Sequence, residues 1–311
     1  SGRITITPNG SLVEDATDRN FWADGTGSVV NSGTFTTHLL AISPMASFTN
    51  NGDFINIDSL WNQGTVINSP GGCATLNDFW NDQTGTFTNS GVLSNADSLL
   101  NQGSFTNNTS ASVNALLNDQ MADFTNNGNM EVTTDMNNQG PAFNNASMVV
   151  YNNFSNCNTQ TMDAIFTNNG RLCIANDFLN CAGDTITGTG SYYIGGLSSN
   201  LGVFDGSHIF YTPSGTVTLP GDIQPGVTVA AGTCNLGLDE STEKVYEVYP
   251  NPTSADVSLT ITDVNYQLYD ITGKVVMNGI VSNHTIETRN LRKGIYLLKV
   301  DGQETKRIVK H

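Results

Sequence analysis

Apolar residues recur along the first two hundred positions in short runs of one pattern. The triplet Phe48-Thr49-Asn50 returns six times at spacings between 18 and 23 residues, and each copy places an apolar residue two positions before an asparagine. A second triplet of this kind, first present as Leu60-Trp61-Asn62, is interleaved with the first at the same period. Two series that share one period indicate a repeated structural unit of about 20 residues.

Most units also contain a third short apolar stretch, and Gly, Asn and Asp separate the stretches. Such stretches are too short and too polar for paired helices, and Asn and Gly are poor helix formers. The pattern predicts an all-β fold, a parallel β-solenoid (β-helix) of about seven coils in which equivalent strands stack about 4.8 Å apart.

Asparagine closes both triplets, so stacking of the coils brings equivalent Asn residues into columns. Amide side chains in such columns bond from coil to coil and satisfy the backbone of turns. A sugar-binding surface made of Asn columns is the alternative; the structural interpretation is favoured because Asn ladders are common in stacked strands. The predicted ladders are Asn50, Asn68, Asn89, Asn107, Asn126, Asn145 and Asn168, and Asn62, Asn81, Asn101, Asn118, Asn138, Asn156 and Asn180.

The triplets also suggest how the chain is divided. They place the repeats in residues 35–190, with residues 1–34 and 191–235 as caps over the open strand edges. Whether the short strands predicted in 191–235 continue the solenoid stays open. A linker at 236–246 and a separate C-terminal module at 247–311 follow.

Two of the five cysteines occupy equivalent positions. Cys157 and Cys181 each follow the second Asn of their coil directly, so they stack one above the other. That separation lies within the range of about 4.4–6.8 Å between Cα atoms that a disulfide tolerates. A Cys157–Cys181 bond is predicted, while Cys73, Cys173 and Cys234 stay unassigned.

Charge divides the chain at the predicted linker. Up to Glu240 there are three basic and 20 acidic residues, a balance of −17, and no Lys precedes Lys244. This balance argues against nucleic acid and against anionic membranes as partners. No apolar run reaches the length of about 18 residues that a membrane-spanning helix needs. The chain starts with Ser1-Gly2, which either a removed signal peptide or a trimmed chain explains.

The last 65 residues alternate apolar and polar positions over several short stretches, with turn signals between them, which predicts a small immunoglobulin-like antiparallel β-sandwich. Four ordered motifs closely resemble the type A sorting domain of the bacterial type IX secretion system. They are Tyr249-Pro250-Asn251-Pro252, the 266–276 segment with Gly273-Lys274, the 291–300 segment with Gly294 and Tyr296, and the basic tail with Lys306-Arg307.

The resemblance implies an export route. Proteins with this domain carry a signal peptide, pass through the type IX translocon, and meet an outer-membrane barrel shuttle protein that binds the domain. A sortase then usually removes it, which by analogy places the cut between residues 235 and 248. The passenger is released or joined to a surface lipopolysaccharide, so the expected location is the cell surface or the extracellular space.

The passenger shows no evident catalytic motif. The leading hypothesis is a non-enzymatic, adhesin-like surface protein linked to attachment or gliding, with surface polysaccharide as a candidate partner. The alternative is a polysaccharide-degrading lyase or glycosidase, because β-helices include such enzymes. The histidines form no cluster, and no catalytic or cofactor residues are assigned.

Two further surface features are candidate sites. Asp58, Asp97 and Asp177 recur in comparable coil positions, near Asp78 and Asp135. A structural Ca²⁺ site is one interpretation, and turn-forming Asp side chains are favoured because the spacing is loose. Three Asp-Ser/Thr-apolar tripeptides resemble the O-glycosylation acceptors of these bacteria, at Ser59, Ser98 and Thr185.

Overall fold

The structure, a computed structural model, describes residues 2–14, 20–158, 162–218, 221–232, 248–262, 264–270, 274–300 and 306–311. It contains two compact units, Ser1–Leu236 and Gly237–His311. The regular elements of the described residues are all strands, which confirms the all-β prediction and the β-solenoid.

Strands of the first unit stack in three parallel columns, here named A, B and C in the order in which the chain meets them. Column A is a 12-stranded sheet. Its strands are Arg3–Ile6, Ser28–Asn31, Ser47–Asn50, Thr65–Asn68, Thr86–Asn89, Ser104–Asn107, Asp123–Asn126, Pro141–Asn144, Ile165–Asn168, Thr185–Gly188, Val203–Phe204 and Asp222–Ile223.

Columns B and C share four long strands that run through both, namely Thr34–Ile42, Asp53–Asn62, Val92–Asn101 and Ser110–Asn118. The other strands of column B are Ser11–Val13, Cys73–Leu76, Asn129–Val132, Ser147–Val150, Arg171–Ile174, Ser191–Ile194, Ile209–Thr212 and Thr228–Ala231. The other strands of column C are Asn20–Ala23, Asp78–Asn81, Met136–Asn138, Phe154–Asn156, Phe178–Asn180 and Ser198–Asn200.

The interior is filled by the apolar residues of the triplets, because alternate side chains of a strand point to opposite faces. Phe87, Phe105 and Phe124 are buried and stack with ring centroids 5.4 and 5.5 Å apart. Phe154 and Phe178 stack in the same way at 5.6 Å. The register from coil to coil therefore stacks equivalent residues on one another, as the repeat predicts.

The asparagine ladders lie inside the coils. In each ladder the Nδ2 of one Asn donates to the Oδ1 of the Asn in the next coil at 2.7 or 2.8 Å. The column A ladder is Asn31, Asn50, Asn68, Asn89, Asn107, Asn126, Asn144 and Asn168; the column C ladder is Asn62, Asn81, Asn101, Asn118, Asn138, Asn156, Asn180 and Asn200. All are buried, so these amides hold the coils together and do not form a binding surface.

One ladder assignment is corrected. Asn144 occupies the position predicted for Asn145, and Ala142 fills the interior in place of Phe143, which is 41% exposed. The turn Asn138-Gln139-Gly140 sets this register. Gly140 is equivalent to Gly64 and Gly103, and in all three coils the column A strand begins at the next residue. Asn145 lies outside, where its Nδ2 donates to Asn127 Oδ1 at 2.9 Å.

The stack extends beyond the predicted repeat region and has about 11 turns, where seven coils were predicted. Arg3–Ile6 pairs in parallel with Ser28–Asn31, and Ile209–Thr212 pairs with Thr228–Ala231. Strands of 1–34 and 191–235 thus continue the solenoid. The inner ones, such as Ser28–Asn31 and Ser191–Ile194, keep the alternation of side-chain burial, and they lack the Phe-Thr-Asn triplet.

The second unit contains two small antiparallel sheets around a shared core. One sheet consists of Val248–Tyr249, Val257–Leu259 and Thr285–Ile286; the other consists of Asn265–Asp270, Val275–Ile280, Gly294–Val300 and Lys306–Lys310. Leu259, Leu268, Leu298 and Ile308 are among the residues of this core. The small antiparallel C-terminal module agrees with the sequence prediction.

Candidate binding face and sorting module

All three tryptophans of the chain lie on the outer side of column C. Trp22 is level with Ala41, Ala41 with Trp61, and Trp61 with Trp80. The Trp61 and Trp80 rings stack with centroids 6.0 Å apart, and Trp22 meets Trp61 edge-on at 6.5 Å. Trp22 and Trp80 are 56% and 46% exposed. We call this surface the tryptophan face.

Hydrogen bonds fix the indole groups at their nitrogen atoms. Trp61 Nε1 donates to Asp82 Oδ2 at 3.2 Å, and Trp80 Nε1 donates to Gln102 Oε1 at 2.9 Å. Both acceptors belong to the turns after column C. Both rings are therefore held by side chains of those turns and stay partly open to solvent.

A shallow cleft of about 430 Å³ crosses this face. Its lining combines apolar side chains with a few hydroxyl and carboxylate groups. The lining residues are Leu39, Ser59, Leu60, Trp61, Asp78, Phe79, Trp80, Ser98 and Leu100. An apolar floor with a small number of polar groups is typical of ligand sites.

The carboxylates along the face are held by neighbours. Partial burial alone raises the pKa of Asp82, but hydrogen bonds from Gln63, Gln83 and Trp61 outweigh it, so the pKa lies below its ordinary value. Asp78 Oδ1 accepts from Ser98 Oγ at 2.8 Å. Asp82 is therefore an anion at neutral pH and is poorly suited to act as a general acid.

The Asp positions considered for calcium are spread along the coils, and two of them accept hydrogen bonds from loop backbone. Asp135 Oδ1 accepts from Asn153 N at 3.0 Å, and Asp177 Oδ1 accepts from Leu197 N at 2.8 Å. Asp58 pairs with His38 at 3.0 Å. In the described part of the chain, no group of three or more His, Cys, Asp or Glu side chains is arranged to hold a metal ion.

Two of the proposed glycosylation positions belong to the cleft. Ser59 and Ser98 both line it, and Ser98 is exposed, whereas Thr185 begins a strand of column A. A glycan on either serine would lie against the tryptophan face. The sequence pattern indicated these serines without showing that they lie beside the tryptophans.

The predicted cysteine pair is disulfide-bonded, with Cα atoms of Cys157 and Cys181 4.9 Å apart. Cys173 is also disulfide-bonded, and Cys73 is free and exposed. Cys234 lies outside the described residues.

Buried titratable groups cluster near the C-terminal coils. The ring centroids of His208 and Tyr192 are 5.3 Å apart, and burial lowers the pKa of the His208 imidazole. Burial also raises the pKa of Tyr192 well above its usual value. The Tyr192 hydroxyl and His208 Nε2 have no hydrogen-bond partner among the described residues. The interior position of these groups places them in the packing of the solenoid.

The motif Tyr249-Pro250-Asn251-Pro252 fastens the start of the second unit to its last strand. Asn251 Nδ2 donates to Arg307 O at 2.6 Å, and Asn251 Oδ1 accepts from Val309 N at 2.9 Å. Lys310 is buried, and its Nζ donates to Ala255 O at 3.1 Å. This motif and the basic tail are therefore in direct contact within the second unit.

The remaining motif residues lie in or beside the four-stranded sheet. Lys274 N donates to Asp270 Oδ1 at 3.1 Å, and Gly294 pairs with Lys310 across strands. Tyr296 donates its hydroxyl proton to Arg292 O at 2.8 Å. Lys306 opens the last strand, and Arg307 is exposed on it. Gly273 lies outside the described residues.

Comparison with protein families identifies this second unit. The family model described as a secretion system C-terminal sorting domain matches residues 247–311. This match supports secretion by the type IX pathway and an interaction of the unit with its machinery. No curated protein and no solved structure matches the chain.

No helix among the residues that the structure describes is long and apolar enough to cross a membrane.

Proposed function

We propose that the passenger is a non-enzymatic, adhesin-like surface protein that serves attachment or gliding once the sorting domain has exported it. The observation that carries this proposal is the tryptophan face, which exposes aromatic side chains on a solenoid whose other aromatic residues are mostly buried. Exposed apolar patches of this kind are characteristic of interaction sites.

Contacts along the same face favour binding over catalysis. The carboxylates there are engaged by His38, Ser98, Gln63 and Trp61. A glycosidase needs one carboxyl group with a raised pKa beside a second carboxylate, whereas the pKa of Asp82 is lowered.

The route follows from the second unit. In this proposal the barrel shuttle protein binds the folded sorting domain, and a sortase cuts the chain between residues 235 and 248. The released or anchored passenger then presents its coils at the cell surface or outside the cell. Deleting residues 247–311 in a bacterium with a working type IX system should retain the passenger inside the cell.

Attachment is tested with beads coated with the full chain on glass, apolar plastic and polysaccharide films. Reducing-sugar and unsaturated-product assays run on the same polysaccharides. The proposal expects attachment without product release. Sustained product formation that is lost on Asp78→Asn would contradict it and favour the polysaccharide-degrading alternative.

A further inference from the structure

Most phenylalanines and the three tryptophans occupy different places in the solenoid. Twelve phenylalanines are buried in the interior of the solenoid, whereas its three tryptophans all lie on one outer face, in three of four successive coils. Packing of the solenoid core does not require exposed indole rings. Their alignment along the stacking direction indicates a function outside the core.

The size of the face restricts what binds it. A fully buried aromatic side chain covers about 150–250 Å², so two half-exposed rings and the less exposed Trp61 offer roughly 300 Å². A stable protein interface buries about 1,000 Å² or more in total, or about 500 Å² on each partner, which is more than the three rings offer. The cleft of about 430 Å³ instead falls in the range of sites for small ligands. An extended polymer that passes through such a cleft is therefore a better match than a globular partner.

The chemistry of the face selects the polymer. Indole rings stack against the apolar C–H faces of pyranose sugars, and Ser59, Ser98 and Asp78 at the cleft offer hydroxyl and carboxylate groups to sugar hydroxyls. Asp58, Asp78 and Asp82 give the face negative charge, with His38 beside Asp58. A polyanion would be repelled there, so an uncharged chain is favoured.

The indole rings are also prepared for such stacking. The bonds from Trp61 to Asp82 and from Trp80 to Gln102 hold both rings before a ligand arrives. Gln102 Nε2 in turn donates to Asp119 Oδ2 at 2.9 Å, which fixes the second acceptor. A site organised in advance loses less entropy on binding.

We propose that the tryptophan face is a binding site for a linear, neutral polysaccharide with equatorial hydroxyl groups, which stacks on Trp61 and Trp80 across successive coils. This inference deepens the adhesin proposal and rests on it. It adds a ligand class and names the residues that recognise it.

The test uses the full chain and two polymers with one backbone, neutral hydroxyethylcellulose and anionic carboxymethylcellulose. Binding is read by affinity electrophoresis and by tryptophan fluorescence, which reports this face alone because all three tryptophans lie on it. We expect retardation and a fluorescence change with the neutral polymer, and weaker binding of the anionic one.

Variants locate the site. Trp61→Ala and Trp80→Ala should each weaken binding about tenfold, and Trp80→Phe should retain part of it. Phe143→Ala is the matched control, because it removes an exposed aromatic ring from column A. Thermal unfolding of each variant checks that the coils are intact.

Separate results overturn the inference and the proposed function. Equal binding of both polymers, or full binding by both tryptophan variants, would overturn the inference while leaving an adhesin. Bead attachment without any binding of hydroxyethylcellulose would do the same. If wild-type fluorescence changes with neither polymer and the coated beads also fail to attach, both proposals are overturned.

Discussion

Replacing one buried ladder residue measures what the asparagine columns contribute. Asn107 donates from Nδ2 to Asn126 Oδ1 at 2.8 Å and to Asn129 O at 3.1 Å, and its Oδ1 accepts from Asn89 Nδ2 at 2.8 Å. Asn107→Ala removes all three bonds from a fully buried site.

The magnitude follows from those three bonds. At about 1 kcal/mol each, their loss lowers the free energy of unfolding by about 3 kcal/mol. The neighbours keep other partners, since Asn89 Nδ2 also donates to Ser110 O and Asn126 Oδ1 also accepts from Gly128 N. The larger penalty of a fully unsatisfied buried group is therefore not added. A domain of this size loses about 2–4 °C per kcal/mol, so Tm should fall by about 6–12 °C.

Scanning calorimetry and hydrogen exchange measure the effect. Because each coil contacts only its neighbours, faster amide exchange should be concentrated in the strands of residues 86–126. Asn108→Ala is the matched control: Asn108 is exposed, and its loss should lower Tm by only about 1–2 °C. Equal Tm values for the two variants would refute the structural role of the ladder.

A second substitution at the same position tests the buried environment. In Asn107→Asp, burial should raise the pKa of the new carboxyl group above its unfolded value of about 3.9. The stability of this variant is then greatest below the unfolded pKa and is lost as pH rises through the folded pKa. Its deficit relative to Asn107→Ala should grow from pH 4 to pH 7, and a constant deficit would contradict the reasoning.

Three more predictions follow from other contacts. Cys157→Ala with Cys181→Ala opens a link across 24 residues and should cost about 3 kcal/mol, read as a lower urea midpoint, while Cys73→Ala, at a free thiol, should leave the midpoint unchanged. Burial lowers the pKa of His208 below 6.5, so its contribution to stability is present above the unfolded pKa and is lost as pH falls through the folded one. Wild type should therefore lose more Tm than His208→Phe on going from about pH 7 to pH 5, and parallel profiles would disprove this. Asn251→Ala removes two bonds to the last strand, about 2 kcal/mol, and should reduce the secreted fraction in a type IX host; the exposed Asn278→Ala is the control, and normal secretion would count against a role for this contact.

Much of the solenoid could be predicted because its register repeats. The period alone placed most ladder residues and brought Cys157 level with Cys181. It failed at Asn145 because Asn144 and Asn145 are adjacent, and either fits the triplet. The preceding turn Asn138-Gln139-Gly140 decides between them, because its glycine sets where the next strand begins. A glycine two positions after a ladder Asn also follows Asn31 and Asn200. That signal would also have found the coils beyond 35–190.

The tryptophan face could be predicted only in part from the sequence. Trp61 and Trp80 occupy the middle of their triplets, and strand alternation alone directs such residues outward. The cleft depends on Leu39 and Leu100, which belong to long strands with irregular register between Thr37 and Leu39 and between Asn95 and Ser98. A period of about 20 residues does not reveal these irregularities, so the shape of the site needed the structure.

The direction of the ladder bonds gives the solenoid an electrical polarity. Every amide link runs the same way, from the Nδ2 of one coil to the Oδ1 of the next toward the C-terminus, as from Asn31 to Asn50 and from Asn180 to Asn200. Backbone dipoles largely cancel in a sheet because they alternate, but these side-chain dipoles add. Both ladders therefore direct partial positive charge toward the C-terminal coils and partial negative charge toward the N-terminal coils, so the stack has an axial dipole that originates in its side chains.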